Sequence, residues 1–532
     1  MVQLQGLVRA EGQERVVRVK VLALIAITLL ALVAYQGSFS AQFHLDDYHQ
    51  IVNNPGVRNI APVGRFFTDP TVGSAQAGSL SYRPLTHLSF ALSYALSGYG
   101  VTGYHVFNFI LHILCSLLVF LIAARVTAAS GEGGPGVALA AALIFALHPV
   151  MTNAVTYISG RAVLLASVFY LAGIYSFLRF REKDRLAWAW AAASPLFYML
   201  GLMSKEMAVS MPAVCVAYDM LFATHRQSAD GGRKYTRLLY HLSYVAVLAI
   251  FLAARKLVLG YATVEGGALG TGHYMLSEAR ALLIYLRVML LPVNLNTDYN
   301  LPPTFAFDIK VAAALILLAL AAATLIAMRK RKPAAVFFGI WFIVALAPES
   351  MFFPITDIAE EYRLYLPAAG LITALVLVAF AALRSRRSLP RVAAALVLVM
   401  LVMLTYSRNG VWATECTFWA DVAAKSPRSA RAFLGLGQAY LREGDYARAV
   451  AALKKSLEVE PVNVWAAGVH NDIGLCYLNI GQYEKALGEF SLALEKNPEL
   501  LDAYASMGAA YQKLGRYDEA NAAYKKAGGG AR

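Results

Sequence analysis

Long apolar stretches, almost free of charge, recur through the first 407 residues, and the pattern stops at Ser407. Eleven are proposed as helices that cross a bilayer: 21–43, 104–124, 137–151, 162–178, 186–204, 207–224, 238–254, 311–328, 334–348, 364–383 and 392–407. A crossing needs roughly 20 residues, because a rise of about 1.5 Å per residue must cover a hydrocarbon core of about 30 Å. Helices are the expected form, since in lipid each backbone N–H and C=O must find its partner inside the chain. Two further apolar stretches are read differently. Residues 84–96 are too few to cross. Residues 274–291 carry Glu278, Arg280 and Arg287, with apolar residues between them at helical spacing. That pattern predicts a helix lying in the interface.

Composition agrees with this pattern. Of 532 residues, 58% are hydrophobic and 15% charged, which excludes an ordinary soluble enzyme and points to a polytopic membrane protein. The net charge of +14 does not imply a nucleic-acid partner, because the basic residues sit in short clusters between apolar runs. Four clusters stand out: Arg179 to Arg185; Arg226 with Arg233, Lys234 and Arg237; Arg329-Lys330-Arg331-Lys332; and Arg384, Arg386, Arg387 and Arg391. With a cytoplasmic N-terminus all four fall on the cytoplasmic side, as positive charge prefers. Counting 274–291 as a crossing would move the last two outside. The pair Arg255-Lys256 is a small exception. Arg15, Arg18 and Lys20 precede 21–43, which is long enough to be a retained anchor and not a cleaved signal. An odd number of crossings puts the C-terminal part outside the cytoplasm. The short loops favour the inner membrane of a bacterium, with the C-terminal part in the periplasm. The four cysteines show no paired or zinc-like spacing, so neither a disulfide framework nor a metal site is predicted.

This topology gathers Asp46, Asp47, Arg83, His148, Arg161, Lys205, Glu206, Asp298, Glu349, Asp357, Glu360, Glu361 and Arg363 on the outer side. They come from loops far apart in sequence, the pattern of a site at the lipid–water boundary. Its focus is the first outer loop, 38–103, where Asp46 and Asp47 follow the first crossing directly. Adjacent carboxylates there can take a proton or bind a cation, and charge of this kind is costly deep in lipid. The ordinary alternative is a polar cap, with Asp47 in a turn ahead of Asn54-Pro55. His105 and His112 lie seven residues apart on one helical face and read as satisfied interior histidines. Asp219 reads as structural.

After Ser407 the sequence becomes soluble and repetitive. Gly437-x-x-Tyr440, Gly474-x-x-Tyr477 and Gly508-x-x-Tyr511 each open a unit. Each is followed by Gly444/Tyr446, Gly481/Tyr483 or Gly515/Tyr517, then Ala449, Ala486 or Ala520, then Leu453, Phe490 or Tyr524. Pro461 and Pro498 close the first two. Spacings of 37 and 34 residues, with small residues at a helix crossing and aromatics filling the gaps, are the tetratricopeptide signature. Three repeats are predicted over 430–532. Residues 408–429, with Trp412, Trp419 and Pro427, form a linker or degenerate half-repeat, and 1–407 form the membrane domain. The fold class is all-α: a polytopic helical domain of about eleven crossings plus interfacial helices, then a repeat solenoid. Such a solenoid binds protein; candidate contact residues are Gln438, Asn471, Asn479, Ser506 and Gln512.

The order of several short motifs resembles the transmembrane-and-tetratricopeptide-repeat family of protein O-mannosyltransferases. These motifs are Leu45-Asp46-Asp47 with Asn54-Pro55; Tyr82-Arg83-Pro84-Leu85; His105, Asn108 and His112; His148-Pro149-Val150 with Ala154-Val155 and Gly160-Arg161; Ser204-Lys205-Glu206; and the run from Ala359 to Pro367. The sequence departs from the family at Asn153, where an acidic residue is usual, and at Ala162-Val163 after the arginine. The resemblance implies a glycosyltransferase of the GT-C fold that moves a sugar from a polyprenyl-phosphate carrier to a protein hydroxyl. It implies Asp46 or Asp47 as the general base. It implies Arg363, Arg83, Lys205, Arg161 and His148 around the donor phosphate, where arginine suits bidentate contact. Glu206, Glu360 and Glu361 are supporting residues. No cofactor is expected, a divalent metal being a disfavoured alternative. The expected partners are the lipid-linked sugar, membrane lipid and a protein acceptor held by the repeats. Other readings are a transferase of the same fold acting on a glycolipid or glycan, and a non-catalytic membrane scaffold. A transporter fits less well, because the ionisable residues do not sit at mid-membrane depth.

Overall fold

The computed structural model describes residues 2–528 apart from 77, 183–185, 223–231, 261–269, 353–356, 384–388 and 462–463. Lys183, Asp184, Arg185, Arg226, Arg384, Arg386 and Arg387 of the basic clusters therefore lie outside the described residues. The described chain is helical and divides into two compact units. The first comprises residues 1–295 and 301–413; the second comprises Asn296–Asn300 and Thr414–Arg532.

The eleven apolar stretches are largely helical where described, but not all are long enough to cross. Among the described residues, eight helices are long and apolar enough to span: Arg18–Ser40, Val101–Ser130, Ile158–Arg181, Leu238–Leu259, Ile309–Met328, Pro333–Ser350, Glu361–Ala382 and Val392–Val411. The chain is a multi-pass membrane protein. The stretch 137–151 is instead a broken pair, Pro135–Leu147 and Pro149–Val155, bent by 51°. Pro149 explains the break: it has no N–H, and it drives His148 into an extended conformation (φ −73°, ψ 127°). Residues 186–204 form only the short helix Ala187–Leu202, and 207–224 open with the tight turn Glu206–Ser210 before helix Met211–Phe222. Lys205 and Glu206 stand between the two runs.

The two stretches excluded as crossings serve the interior. Helix Pro84–Ser97 buries Thr86, His87, Ser89 and Ser93. Helix Thr271–Leu290 is not among the spanning helices. It buries Tyr274, Glu278, Ala281, Leu282, Tyr285, Val288 and Met289, a stripe at helical period. Packing is close where side chains vanish. A Cβ on Gly370 would stand 2.6 Å from the Phe338 carbonyl oxygen, so helices Pro333–Ala347 and Tyr365–Ala382 meet at backbone distance.

The second unit is built of helix pairs: Ala430–Glu443 with Tyr446–Val459, Ala466–Asn479 with Tyr483–Lys496, and Leu501–Lys513 with Tyr517–Gly528. A Cβ on Gly437, Gly474 or Gly508 would strike Leu453, Phe490 or Tyr524 at 2.5, 2.5 and 2.8 Å, which is why glycine recurs at each crossing. Helix Glu415–Lys425 packs ahead of the array, with Trp419 filling the space over Gly435. The segment Asn296–Asn300 joins this unit by side-chain bonds: Arg431 Nε donates to Asp298 Oδ2 at 3.0 Å, and Asn296 Nδ2 donates to Ser426 Oγ at 2.8 Å.

Candidate active site

The loop after the first spanning helix is fixed before Asp46 is reached. His105 Nε2 lies 2.9 Å from the Ala41 carbonyl oxygen, and His44 Nε2 lies 2.8 Å from that of Trp412. Leu45 then takes φ +49°, in the left-handed region that L residues rarely enter. The turn sends the next two carboxylates to different places. Asp47 is fully buried: its Oδ2 accepts the His44 N–H at 2.9 Å, and its Oδ1 accepts the Ser159 N–H at 2.8 Å and hydroxyl at 2.5 Å. Burial pushes its carboxyl up to about 7, against these donors. Asp46 keeps 57% of its side chain exposed. Its N–H donates to the Tyr157 hydroxyl at 3.1 Å, and its Oδ1 is 3.3 Å from His49 Nε2. Burial of its surroundings works to raise the Asp46 pKa, but His49, Tyr157 and Arg83 outweigh it and hold the group below the usual aspartate value.

Arg83, whose charge reaches this carboxylate, belongs to an alternating set of charges. Arg83, which opens helix Pro84–Ser97, donates from Nε to Glu206 Oε2 at 3.1 Å, with its Nη2 3.0 Å from the same oxygen. Arg255 Nη1 is 3.7 Å from Glu206 Oε1. Lys205 Nζ is 2.7 Å from Glu349 Oε1 and stands 4.2 Å above the Tyr362 ring. Burial opposes the Arg83 cation, but Glu206, then Glu349 and Tyr362, favour it more. Lys205 is more deeply set, and its pKa is lowered by burial despite Glu349. Arg83, with 31% of its side chain exposed against 8% for Lys205, is the more accessible cation.

Three residues expected at the donor phosphate are placed elsewhere. Arg161 is fully enclosed: it donates to Asn108 Oδ1 (2.8 Å), the Ser89 carbonyl (3.0 Å), Ser93 Oγ (2.7 Å) and the Tyr104 carbonyl (2.9 Å). The rings of Phe107, Phe90 and Tyr104 also lie against its guanidinium. With its donors taken by the protein, it is a structural cation and not a phosphate ligand. His148 is an N-cap: its Nδ1 accepts the Val150 N–H and its Nε2 faces the Met289 carbonyl at 3.2 Å, so both nitrogens are occupied. Arg363 is committed inward, donating to Glu278 Oε1 at 2.7 Å and to the carbonyls of Ile358 and Asp357. It shapes the loop that carries the buried Glu360 and Glu361.

The sequence assigned no site role to His49, Tyr157, Ser159, Arg255, Glu278 or Tyr362. Arg255 and Glu278 stood out only as charges, Tyr362 only as part of the run from Ala359 to Pro367, and His49 only by its spacing of three residues from Asp46. Of the residues read as structural, His112 bonds Tyr365 and the Ala146 carbonyl, and Asp219 pairs with Arg181 and His241. In the repeats, Gln438 Nε2 donates to Asp472 Oδ2 at 2.9 Å, linking two first helices, and Asn471 is nearly buried. Among the described residues no three His, Cys, Asp or Glu side chains form a metal-ligand set.

Comparison with known proteins matches this architecture. A tetratricopeptide-repeat family profile matches residues 430–463 and 501–527. A protein named protein O-mannosyl-transferase Tmtc3, from Drosophila melanogaster, is 26% identical over 90% of this chain and 59% of its own length. This chain is similar to the transmembrane-and-tetratricopeptide-repeat proteins over most of its length. Further members of that family align as broadly. Protein O-mannosyl-transferase F38B6.6 of Caenorhabditis elegans is 26% identical over 78% of this chain and 59% of its own. Human protein O-mannosyl-transferase TMTC3 is 22% identical over 88% and 54%. The chain thus spans about six-tenths of the length of the curated relatives it matches.

Proposed function

We propose that this chain is a glycosyltransferase of the GT-C class that moves a mannose-like hexose from a polyprenyl-phosphate carrier to a Ser or Thr hydroxyl of a protein, at the non-cytoplasmic face of the membrane. The observation that carries the reading is the contrast between neighbouring carboxylates: Asp46 exposed within reach of the Arg83 charge, and Asp47 buried under three hydrogen bonds. Asp46 is the general base, and Asp47 positions the loop. The names of the relatives support the transferred group and the acceptor class.

In the reaction the bond between the anomeric carbon and the phosphate oxygen breaks. The acceptor oxygen bonds that carbon, and its proton passes to Asp46. An ionised carboxylate of low pKa is a weak base. It suffices because a hydroxyl grows acidic as it bonds an oxocarbenium-like carbon. The leaving phosphate meets Arg83, with Lys205 near enough to feel the Arg83 charge, while Glu206 and Glu349 hold those cations in place. The reading assigns no resident metal, so transfer is expected to survive EDTA. The repeats bind the protein acceptor.

The test is transfer from a radiolabelled mannosyl-phosphoryl-polyprenol to protein by the purified chain in liposomes. Asp46→Asn is expected to lower turnover on the order of 100-fold or more without loss of folded protein. Parental turnover in that variant would refute the assignment. Transfer to glycolipid alone would replace the protein acceptor, and no transfer by the parental chain would favour a scaffold.

A further inference from the structure

We propose that His49 and Ser74 extend the base: His49 takes over the proton that Asp46 receives, and Ser74 holds the imidazole in the orientation this requires. The inference rests on Asp46 being the general base. The three groups stand in line. Asp46 Oδ1 is 3.3 Å from His49 Nε2, and His49 Nδ1 is 2.9 Å from Ser74 Oγ. Both ring nitrogens are therefore occupied, one by the carboxylate and one by the hydroxyl.

The arrangement is built by the backbone and does not depend on loosely held surface side chains. His49 sits in a π-type turn, Tyr48–Val52, closed by the Asn53 N–H donating to the Tyr48 carbonyl at 2.7 Å. Such wide turns are uncommon and concentrate at functional sites. The Ser74 segment is tied to the same residue a second time, because the Ala75 N–H donates to the His49 carbonyl at 2.8 Å. Ser74 Oγ also accepts the Gln76 N–H at 3.0 Å, which leaves its geometry little freedom. His49 keeps 27% of its side chain exposed, so a proton arriving there has a route to water.

The tautomer follows from the chemistry. The attraction that lowers Asp46 belongs to the form of His49 that carries Nε2–H; to receive a proton the neutral ring must turn its Nε2 lone pair to the protonated Asp46, with Nδ1–H donating to Ser74 Oγ. The acceptor hydroxyl first gives its proton to Asp46 as the new glycosidic bond forms and the phosphate leaves. The carboxylic acid then passes that proton to Nε2. The result is a carboxylate beside an imidazolium, which releases the proton to water. The surroundings of Asp46 favour its ionised form, so the carboxylic acid holds its proton loosely. Asp46 is thereby restored for the next turnover. His49 acts through Asp46 and is a positioning and relay residue.

The experiment uses the full chain in liposomes, mannosyl-phosphoryl-polyprenol as donor probe and a Ser/Thr-rich peptide as acceptor. His49→Gln keeps an N–H facing Asp46 but cannot take a proton. It is expected to lower kcat about ten-fold, with the donor KM within about two-fold of parental. His49→Ala is expected to lose at least as much kcat and to recover most of it when free imidazole is supplied, which repair of a purely structural contact would not produce. Parental kcat in His49→Gln, or a loss in His49→Ala that imidazole does not restore, overturns the relay. Asp46→Asn run alongside separates the two claims. If Asp46→Asn loses turnover and His49→Gln does not, the relay alone fails. If Asp46→Asn retains parental turnover, the base assignment fails and the relay with it.

Discussion

Ser159 donates to Asp47 twice, from its backbone amide at 2.8 Å and from its hydroxyl at 2.5 Å. The pair ties the loop after the first spanning helix to the turn Ile158–Gly160, where a Cβ on Gly160 would stand 2.4 Å from the Ala154 carbonyl oxygen. Asp47→Asn would turn an amide N–H toward the His44 N–H, so one buried donor loses its acceptor. The expected cost is about 2–3 kcal/mol, seen as a lower unfolding midpoint. Ser159→Ala removes only the hydroxyl bond and should cost about 1 kcal/mol. Equal midpoints for Asp47→Asn and the parental chain would contradict the structural role.

The same carboxyl predicts a pH dependence. Burial holds Asp47 up to about 7 in the folded chain, while an unfolded aspartate titrates near ~3.9. Between those values the folded state binds more protons, so stability falls as pH rises. The contribution is complete below about pH 4 and gone above about pH 7. Asp46 is shifted the other way, and its contribution is lost on acidification. Unfolding midpoints of the parental chain across pH 4 to 8 should therefore show a downward component that Asp47→Asn removes and Asp46→Asn does not.

Arg161 tests whether a motif residue is structural. Replacing it with Met strips hydrogen bonds from the Ser89 and Tyr104 carbonyls and from Asn108 and Ser93, all inside the protein. Each orphaned group costs about 1–3 kcal/mol. The sum exceeds what a better-packed apolar side chain returns, so we expect a loss of about 3–5 kcal/mol. The folded fraction should bind the lipid-phosphate donor with parental affinity. A stable variant with weakened donor binding would return Arg161 to the phosphate site.

What the sequence displays and what it hides can be traced to single residues. The membrane unit and the repeats are legible because apolar run length and the Gly437, Gly474 and Gly508 crossings are local signals. The break at His148-Pro149 also has a local cause, yet it lies within a run apolar enough to read as one crossing. Partnerships across long sequence separations are not legible. His148 and Arg161 look like site residues because they are polar and stand in motifs; their partners Met289 and Ser89 carry no mark. Arg255 looked like a basic residue on the wrong side, and its pairing with Glu206 accounts for it. Asp46 and Asp47 cannot be separated in sequence, because the distinction arises from the φ of Leu45 and from Ser159, over a hundred residues away.

In the proposed reaction, the phosphate half of the site rests on Arg83. Glu206 takes the Nε and Nη2 side of its guanidinium, and no described residue accepts a bond from Nη1. In the proposed reaction that edge is what a leaving phosphate would meet, with the Lys205 ammonium near enough to feel the Arg83 charge. Arg83→Gln removes the charge and keeps a donor of similar reach. A lost charge-assisted contact of about 1.4 kcal/mol corresponds to a ten-fold rise in the donor KM. The phosphate gains charge as it leaves, so the contact strengthens toward the transition state and kcat should fall as well. Arg83→Lys should recover most of the affinity but less of kcat, because an ammonium cannot hold two oxygens in the plane of a guanidinium. Glu206→Gln serves as the control: it frees Arg83 from its counter-charge, and the donor KM should stay level or fall. Steady-state kinetics at low and high salt check all three variants. Unchanged donor KM and kcat in Arg83→Gln would remove this residue from the donor site and leave Lys205 as the cation to test.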